Sequence, residues 1–236
     1  MGKRIIQQAR GHGSFTYRVR RKAYKFRLKY PPTSGFGKVA KLLNSPAHTA
    51  PIAKIKVGTE IFYDIAVDGL VEGQDIAIGN KRENSEVKAG DIMQLADIPT
   101  GTEICNIETM PFGGGKLVRT SGTSAKILKK ESGNVIVLLP SKQEKSFSDK
   151  ARATVGIVAA AGRLDKPIVK AGKMWHMMKA RNKLWPRTSA VKMNVVDHPF
   201  GSGRGKRIKS KIAKRNAPPG RKVGLLRPRR TGRRKK

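Results

Sequence analysis

Acid residues are missing from both ends of this chain. The first 59 residues hold 14 Lys or Arg and no Asp or Glu, the first acid being Glu60. Residues 198–236 hold 16 Lys or Arg and again no acid. Like charges at this density repel one another and oppose a compact state unless a polyanion neutralises them. Between the ends, residues 60–149 carry 10 basic and 14 acidic residues, a net charge of −4. The excess of 51 basic over 16 acidic residues in the 236-residue chain, +35 in all, therefore belongs to the two arms. A near-neutral folded middle with two polycationic extensions is the organisation this predicts.

Nucleic acid is the first partner class such arms fit. A membrane surface would require an amphipathic apolar face or a lipid anchor, and the chain shows neither. Position 6 is Ile6, where a myristoylation signal has a hydroxyl residue. The longest aliphatic run, 135–139, has five residues, far short of a membrane span or signal-peptide core. Cys105 is alone, which excludes an internal disulfide and fits a reducing, cytoplasmic compartment.

Only 38% of the residues are hydrophobic, below the roughly 45–50% of ordinary domains, so small modules are expected rather than one large core. Alternating runs at 52–57 and 60–67, separated by Gly58-Thr59, read as a hairpin. Further short strands are expected at 74–78, 91–95 and 103–107, with glycines at the turns. Five such strands match a small barrel of the OB-fold type. A second group, at 124–129, 134–139, 145–147 and 154–159, has the size of an SH3-like barrel. Helix should be scarce: a turn or two near Pro46 and around 175–183. The fold class is thus all-β, with a basic extension over 1–36, an OB-fold-like domain over 37–115, an SH3-like barrel over 116–172 and a basic extension over 173–236. The carboxylates of the middle are expected at strand ends and turns, keeping the sheets soluble.

Enzyme motifs fail on spacing. Gly113-Gly114-Gly115-Lys116 is followed by Leu117 where a Walker A loop needs Ser or Thr. Residues 201–206 have Lys206 where a dinucleotide fingerprint needs its last glycine. His12, His48, His176 and His198 are scattered, without metal-ligand spacing. No enzymatic activity and no cofactor are expected, apart from magnesium associated with a bound nucleic acid.

Two segments carry nucleic-acid chemistry. From Arg10 to Tyr30 basic residues interleave with aromatics, among them Phe15, Tyr17, Tyr24 and Phe26. Aromatics stack on bases while Arg and Lys meet phosphates; the alternative is that these rings pack on the neighbouring domain. Residues 193–203 join Asn194, Asp197 and His198 to Pro199, Gly201 and Gly203. Glycines admit close approach to phosphate, and Asn and His reach base edges or the 2′-hydroxyl; the alternative is an ordinary turn in which His198 packs. Residues 198–236 have only six large apolar residues, too few to offset an ordering cost of about 1–2 kcal/mol per residue.

The run 162–172 (GRLDKPIVKAG), Trp185-Pro186-Arg187, and Asp197-His198-Pro199-Phe200-Gly201 resemble the C-terminal half of the universal large-subunit ribosomal protein two family. The endings 217–225 (APPGRKVGL) and 229–233 (RRTGR) resemble its archaeal and eukaryotic branch. Residues 50–54 and 114–117 are similar to its first domain and domain junction. The resemblance implies an OB-fold followed by an SH3-like barrel, with both termini threaded into large-subunit rRNA. It implies a site near the peptidyl transferase centre and roles in subunit assembly, subunit association and tRNA binding. It departs from the family at Ser189, Ala190, Val195 and Ser202.

The RNA-contacting residues expected on this reading are Arg18, Arg20, Arg21, Lys22, Lys25 and Arg27 in the first arm, and Lys116 and Arg119 at the junction. Arg163, Lys170, Lys173, Trp185, Arg187, Asn194, His198, Gly201 and Gly203 follow. Arg204, Lys206, Arg207, Arg221, Arg229, Arg230 and Arg233 complete the set along the tail. His198 is assigned a positioning role, with no catalytic residue anywhere. Partners expected are large-subunit rRNA, neighbouring ribosomal proteins, the small subunit at the interface and, indirectly, tRNA, with no membrane and no homo-oligomer. The alternative function is a non-specific basic architectural or RNA-chaperone protein.

Overall fold

The structure is a computed structural model in which residues 2–79, 87–202 and 212–229 are described. It divides into two compact units, one of Arg21–Val169 and one of Met1–Arg20 with Lys170–Lys236.

The first unit is built almost wholly of strands. In chain order these are β1 Gly35–Leu43, β2 Ile52–Val57, β3 Glu60–Ile65, β4 Asp75–Ile78, β5 Ile92–Gln94 and β6 Glu103–Cys105. They continue with β7 Ile107–Glu108, β8 Gly115–Leu117, β9 Ala125–Glu131, β10 Asn134–Leu138, β11 Glu144–Ser148 and β12 Arg152–Val155. Ten of them form one hydrogen-bonded sheet in the order β11-β10-β9-β6-β12-β5-β4-β1-β2-β3, and β7 pairs with β8. All neighbours are antiparallel except β4 and β5, joined in parallel at Ile78 and Ile92. The Gly58-Thr59 hairpin is as expected, pairing Val57 with Glu60.

β1 is the longest strand and the least apparent in sequence. Its inward positions alternate as Gly37 and Val39, and a Cβ on Gly37 would lie 2.9 Å from methyl groups of both Ile55 and Val57. The strand can lie this close to β2 because Gly37 lacks that carbon. The expected strand over 103–107 is instead two, β6 and β7, broken where Asn106 adopts φ +47°. Near Pro46 there is a turn and no helix.

Apolar side chains gather in separate cores within the sheet. Tyr30, Val39, Ile55, Phe62, Ile76, Ile78 and Ile92 make the first. Leu95, Ile98, Ile104, Ile107, Ile127, Val135, Val137 and Phe147 anchor the second. Ile65, Val67, Cys105 and Val158 form a third, smaller cluster. Burial pushes the Cys105 thiol pKa well above its ordinary value.

Three middle carboxylates are buried, contrary to the expectation that they sit at solvated strand ends: Asp64, Asp91 and Glu108 are at most 2% exposed. Each is saturated with donors, which is what allows a carboxylate to leave water. Asp91 accepts the Ala77 and Lys88 amides, both at 2.9 Å. Glu108 accepts the amides of Gly114 at 3.0 Å and Arg152 at 3.0 Å, and meets the Arg152 guanidinium at 3.1 Å. Arg152 in turn donates to the Pro31 carbonyl at 2.6 Å and lies 5.3 Å above the Tyr30 ring. Asp64 accepts from the Ile65 amide (2.7 Å), Asn106 Nδ2 (2.6 Å) and Thr154 Oγ1 (2.8 Å).

The second unit has little regular structure. It contains α1 Ile6–Gly11, α2 Ala171–Ala180, β13 Ile212–Ala213 and β14 Leu225–Leu226, the last two paired in parallel. α2 matches the helix expected around Trp175; α1 was not anticipated. No helix among the described residues is long and apolar enough to cross a membrane.

Candidate nucleic-acid interface

The aromatic residues of the first arm divide between the two roles weighed for them. Tyr30 is buried, its hydroxyl 2.6 Å from the Asn106 carbonyl and 2.7 Å from Thr154 Oγ1. Phe26 leans on Tyr63 with ring centroids 5.0 Å apart. These two pack on the sheet. Phe15, 90% exposed, and Tyr24, 52% exposed, present their rings to solvent.

Arg21, Lys22, Lys25 and Arg27 are exposed in the sheet unit, as is Lys116 on β8. Arg119 is half-buried and donates to the Gly115 carbonyl at 3.2 Å, and Arg163 is half-buried and donates to Ser121 Oγ at 2.9 Å. Those two are fixed by the protein itself, which orients a cation at little entropic cost.

In the other unit Arg18 and Arg20 are exposed, and Arg18 donates to the Gly13 carbonyl at 2.6 Å while lying 5.4 Å above the Phe15 ring. Lys170, Lys173, Arg187, Asn194, Arg221 and Arg229 are exposed and Trp185 is half-buried. α2 buries no residue and has no acid in its first turn. Lys170 and Lys173 instead sit at its N-terminus, where the helix dipole favours anions. Gly203, Arg204, Lys206, Arg207, Arg230 and Arg233 lie outside the described residues.

The 193–202 segment closes on itself. The His198 amide donates to the Asn194 carbonyl at 3.2 Å, and the Ser202 amide to the Met193 carbonyl at 3.0 Å. Gly201 passes so close to the Met193 and Asn194 carbonyls that a Cβ would overlap both. In this unit, the freedom of Gly201 serves a close approach of the chain to itself. His198 is 6% exposed, stacks edge-on against Phe200 at 5.0 Å and accepts the Phe200 amide on Nδ1 at 3.1 Å. Burial lowers its pKa, so the ring is neutral with its proton on Nε2. Lys3 joins the segment through its amide to the Val196 carbonyl at 2.7 Å and through an exposed ion pair with Asp197 at 3.7 Å.

Sequence reasoning missed the groove beside Tyr24, to which His48 and Arg119 contribute, because the residues come from three separated segments. The Arg10–Tyr30 interleaving of rings and cations was the available signal. Among the described residues, no three His, Cys, Asp or Glu side chains gather as metal ligands.

Residues 88–220 match the family model described as Ribosomal Proteins L2, C-terminal domain. The chain is 44% identical over 238 residues to the large ribosomal subunit protein uL2 of Archaeoglobus fulgidus, covering 98% of this chain and 99% of that one. It is 46% identical over 241 residues to the protein of the same name from Methanococcoides burtonii, covering 99% of this chain and 100% of that one.

Proposed function

Since the chain belongs to the uL2 family of large ribosomal subunit proteins, we propose that it is a structural, non-enzymatic constituent of the large subunit that binds large-subunit rRNA near the peptidyl transferase centre. There it supports subunit assembly, subunit association and tRNA binding in the cytoplasmic ribosome, beside neighbouring ribosomal proteins.

The observation that carries this reading is the distribution of charge over structure. Buried carboxylates are consumed inside the sheet, while 27 basic residues against two acids fill 150–236, and the described ones are mostly exposed. Such surface is stabilised by phosphate. The two separate cores support reading the sheet unit as two small barrels, an OB-fold followed by an SH3-like barrel, the second drawing Leu95, Ile98, Ile104 and Ile107 into its interior. The buried, neutral His198 supports a positioning role for that residue.

Removing residues 204–236 takes away 16 Lys or Arg. The truncated protein should bind deproteinised large-subunit rRNA more weakly and with a flatter dependence of log K on log salt, since each phosphate contact contributes about 0.7–0.9 to that slope. An unchanged slope, or a full-length chain that fails to sediment with large subunits, would overturn the proposal.

A further inference from the structure

A groove of about 610 Å³ opens on the sheet unit beside Tyr24, within the roughly 300–1,000 Å³ range of sites for small ligands. One wall is the exposed Tyr24 ring, held edge-on to His48 at 5.2 Å and 85°. Leu28 and Ala47 supply apolar lining, and Arg27 and Arg119 supply positive charge; no carboxylate among the described residues lines it. His48 Nδ1 is committed to Ser45 Oγ at 2.8 Å, which leaves Nε2 as the ring's remaining polar atom. Partial burial and the neighbouring Arg119 lower the His48 pKa, so the ring offers a hydrogen bond and not a third charge.

We infer that this groove holds one unstacked nucleotide of single-stranded RNA, its base on the Tyr24 ring and its phosphate with Arg27 and Arg119. Bases inside a duplex are already stacked and present no free face to an aromatic side chain, whereas looped-out bases do. An acidic peptide would satisfy the two arginines but make no use of a solvent-facing ring. The inference rests on the rRNA-binding reading above and gives it a local form: this surface reads a loop or bulge.

The probe is deproteinised large-subunit rRNA carrying scattered 4-thiouridine, bound to the full-length protein and irradiated. Crosslinks on the peptide containing Tyr24, to nucleotides unpaired in the rRNA, are the expected result. Tyr24→Leu should weaken binding about 5- to 150-fold, the effect of losing one stacked base, with the salt slope unchanged; Tyr24→Phe should bind like wild type. Arg27→Gln should lower the slope by about 0.7. Wild-type affinity in Tyr24→Leu, or crosslinks to paired nucleotides only, would overturn the inference. A wild-type chain that does not bind the rRNA at all would overturn the proposed function itself, and this groove's role with it.

Discussion

Replacing Asp64 by Asn should stabilise the protein at neutral pH. The reason lies in counting protons around four buried groups. If Asp64 is ionised, Thr154 donates to its Oδ2 at 2.8 Å and Tyr30 donates to the Asn106 carbonyl at 2.6 Å. The 2.7 Å contact between the Tyr30 and Thr154 hydroxyls then has no hydrogen left to bridge it. If Asp64 is protonated, donation runs from Asp64 to Thr154 to Tyr30 to the Asn106 carbonyl, with one proton in every contact. Burial favours that same state, raising the Asp64 pKa from 3.8 to about 6 against the opposing hydrogen bonds from Thr154, Ile65 and Asn106. At about 1.4 kcal/mol per pKa unit, the gap between 3.8 and about 6 corresponds to about 3 kcal/mol. A raised carboxylate pKa contributes stability that is full below the unfolded value and is lost as pH climbs through the folded one. Wild type should therefore lose stability between pH 4 and 7 relative to Asp64→Asn, whose amide can donate to Thr154 at every pH. Urea unfolding of both proteins, followed by circular dichroism from pH 4 to 8, measures the difference directly, since all other titrations cancel. The variant should match wild type near pH 4 and exceed it by up to about 3 kcal/mol at pH 8. A flat difference, or a less stable variant at pH 8, would refute the proton count.

Glu108→Ala leaves the Arg152 guanidinium and the Phe112 and Gly114 amides without their buried acceptor and should cost about 3–5 kcal/mol. Pairing it with Arg152→Met should recover part of that loss in urea midpoints. Gly201→Ala drives a Cβ against the Met193 and Asn194 carbonyls; faster amide exchange at Ser202, with protection of the β2–β3 amides unchanged, is the expected readout.

Much of the sheet can be read from alternation and glycine turns, because a strand with one face inside writes its period into the chain. Which face goes inside is another matter. In β3 the more apolar set is Ile61, Tyr63 and Ile65, yet Phe62 and Asp64 are buried while Ile61 is 50% exposed. Partners arriving from Asn106 and Thr154, 42 and 90 residues away, together with the adjacent Ile65 amide, make the Asp64 position tenable. β1 escaped notice for a related reason: its inward side is a glycine whose value depends on Ile55 and Val57 across the ladder. The charged arms were legible as composition, and the Asp197-His198-Pro199 turn as a motif. That His198 faces its own chain was not, since a histidine's burial depends on what closes over it.

β12 occupies a singular place in the strand order. It alone joins β6 to β5, so without its four residues the ten-stranded ladder would separate into groups of four and five. It also carries Arg152, which reaches back to the Pro31 carbonyl, and Thr154, which reaches Asp64 and Tyr30. During synthesis the group β5-β4-β1-β2-β3 cannot join the rest of the ladder until this late segment emerges. By then more than half of the polypeptide, including its entire leading basic stretch, is already outside the tunnel and able to meet RNA, so engagement of the leading arm can precede completion of the body it is attached to.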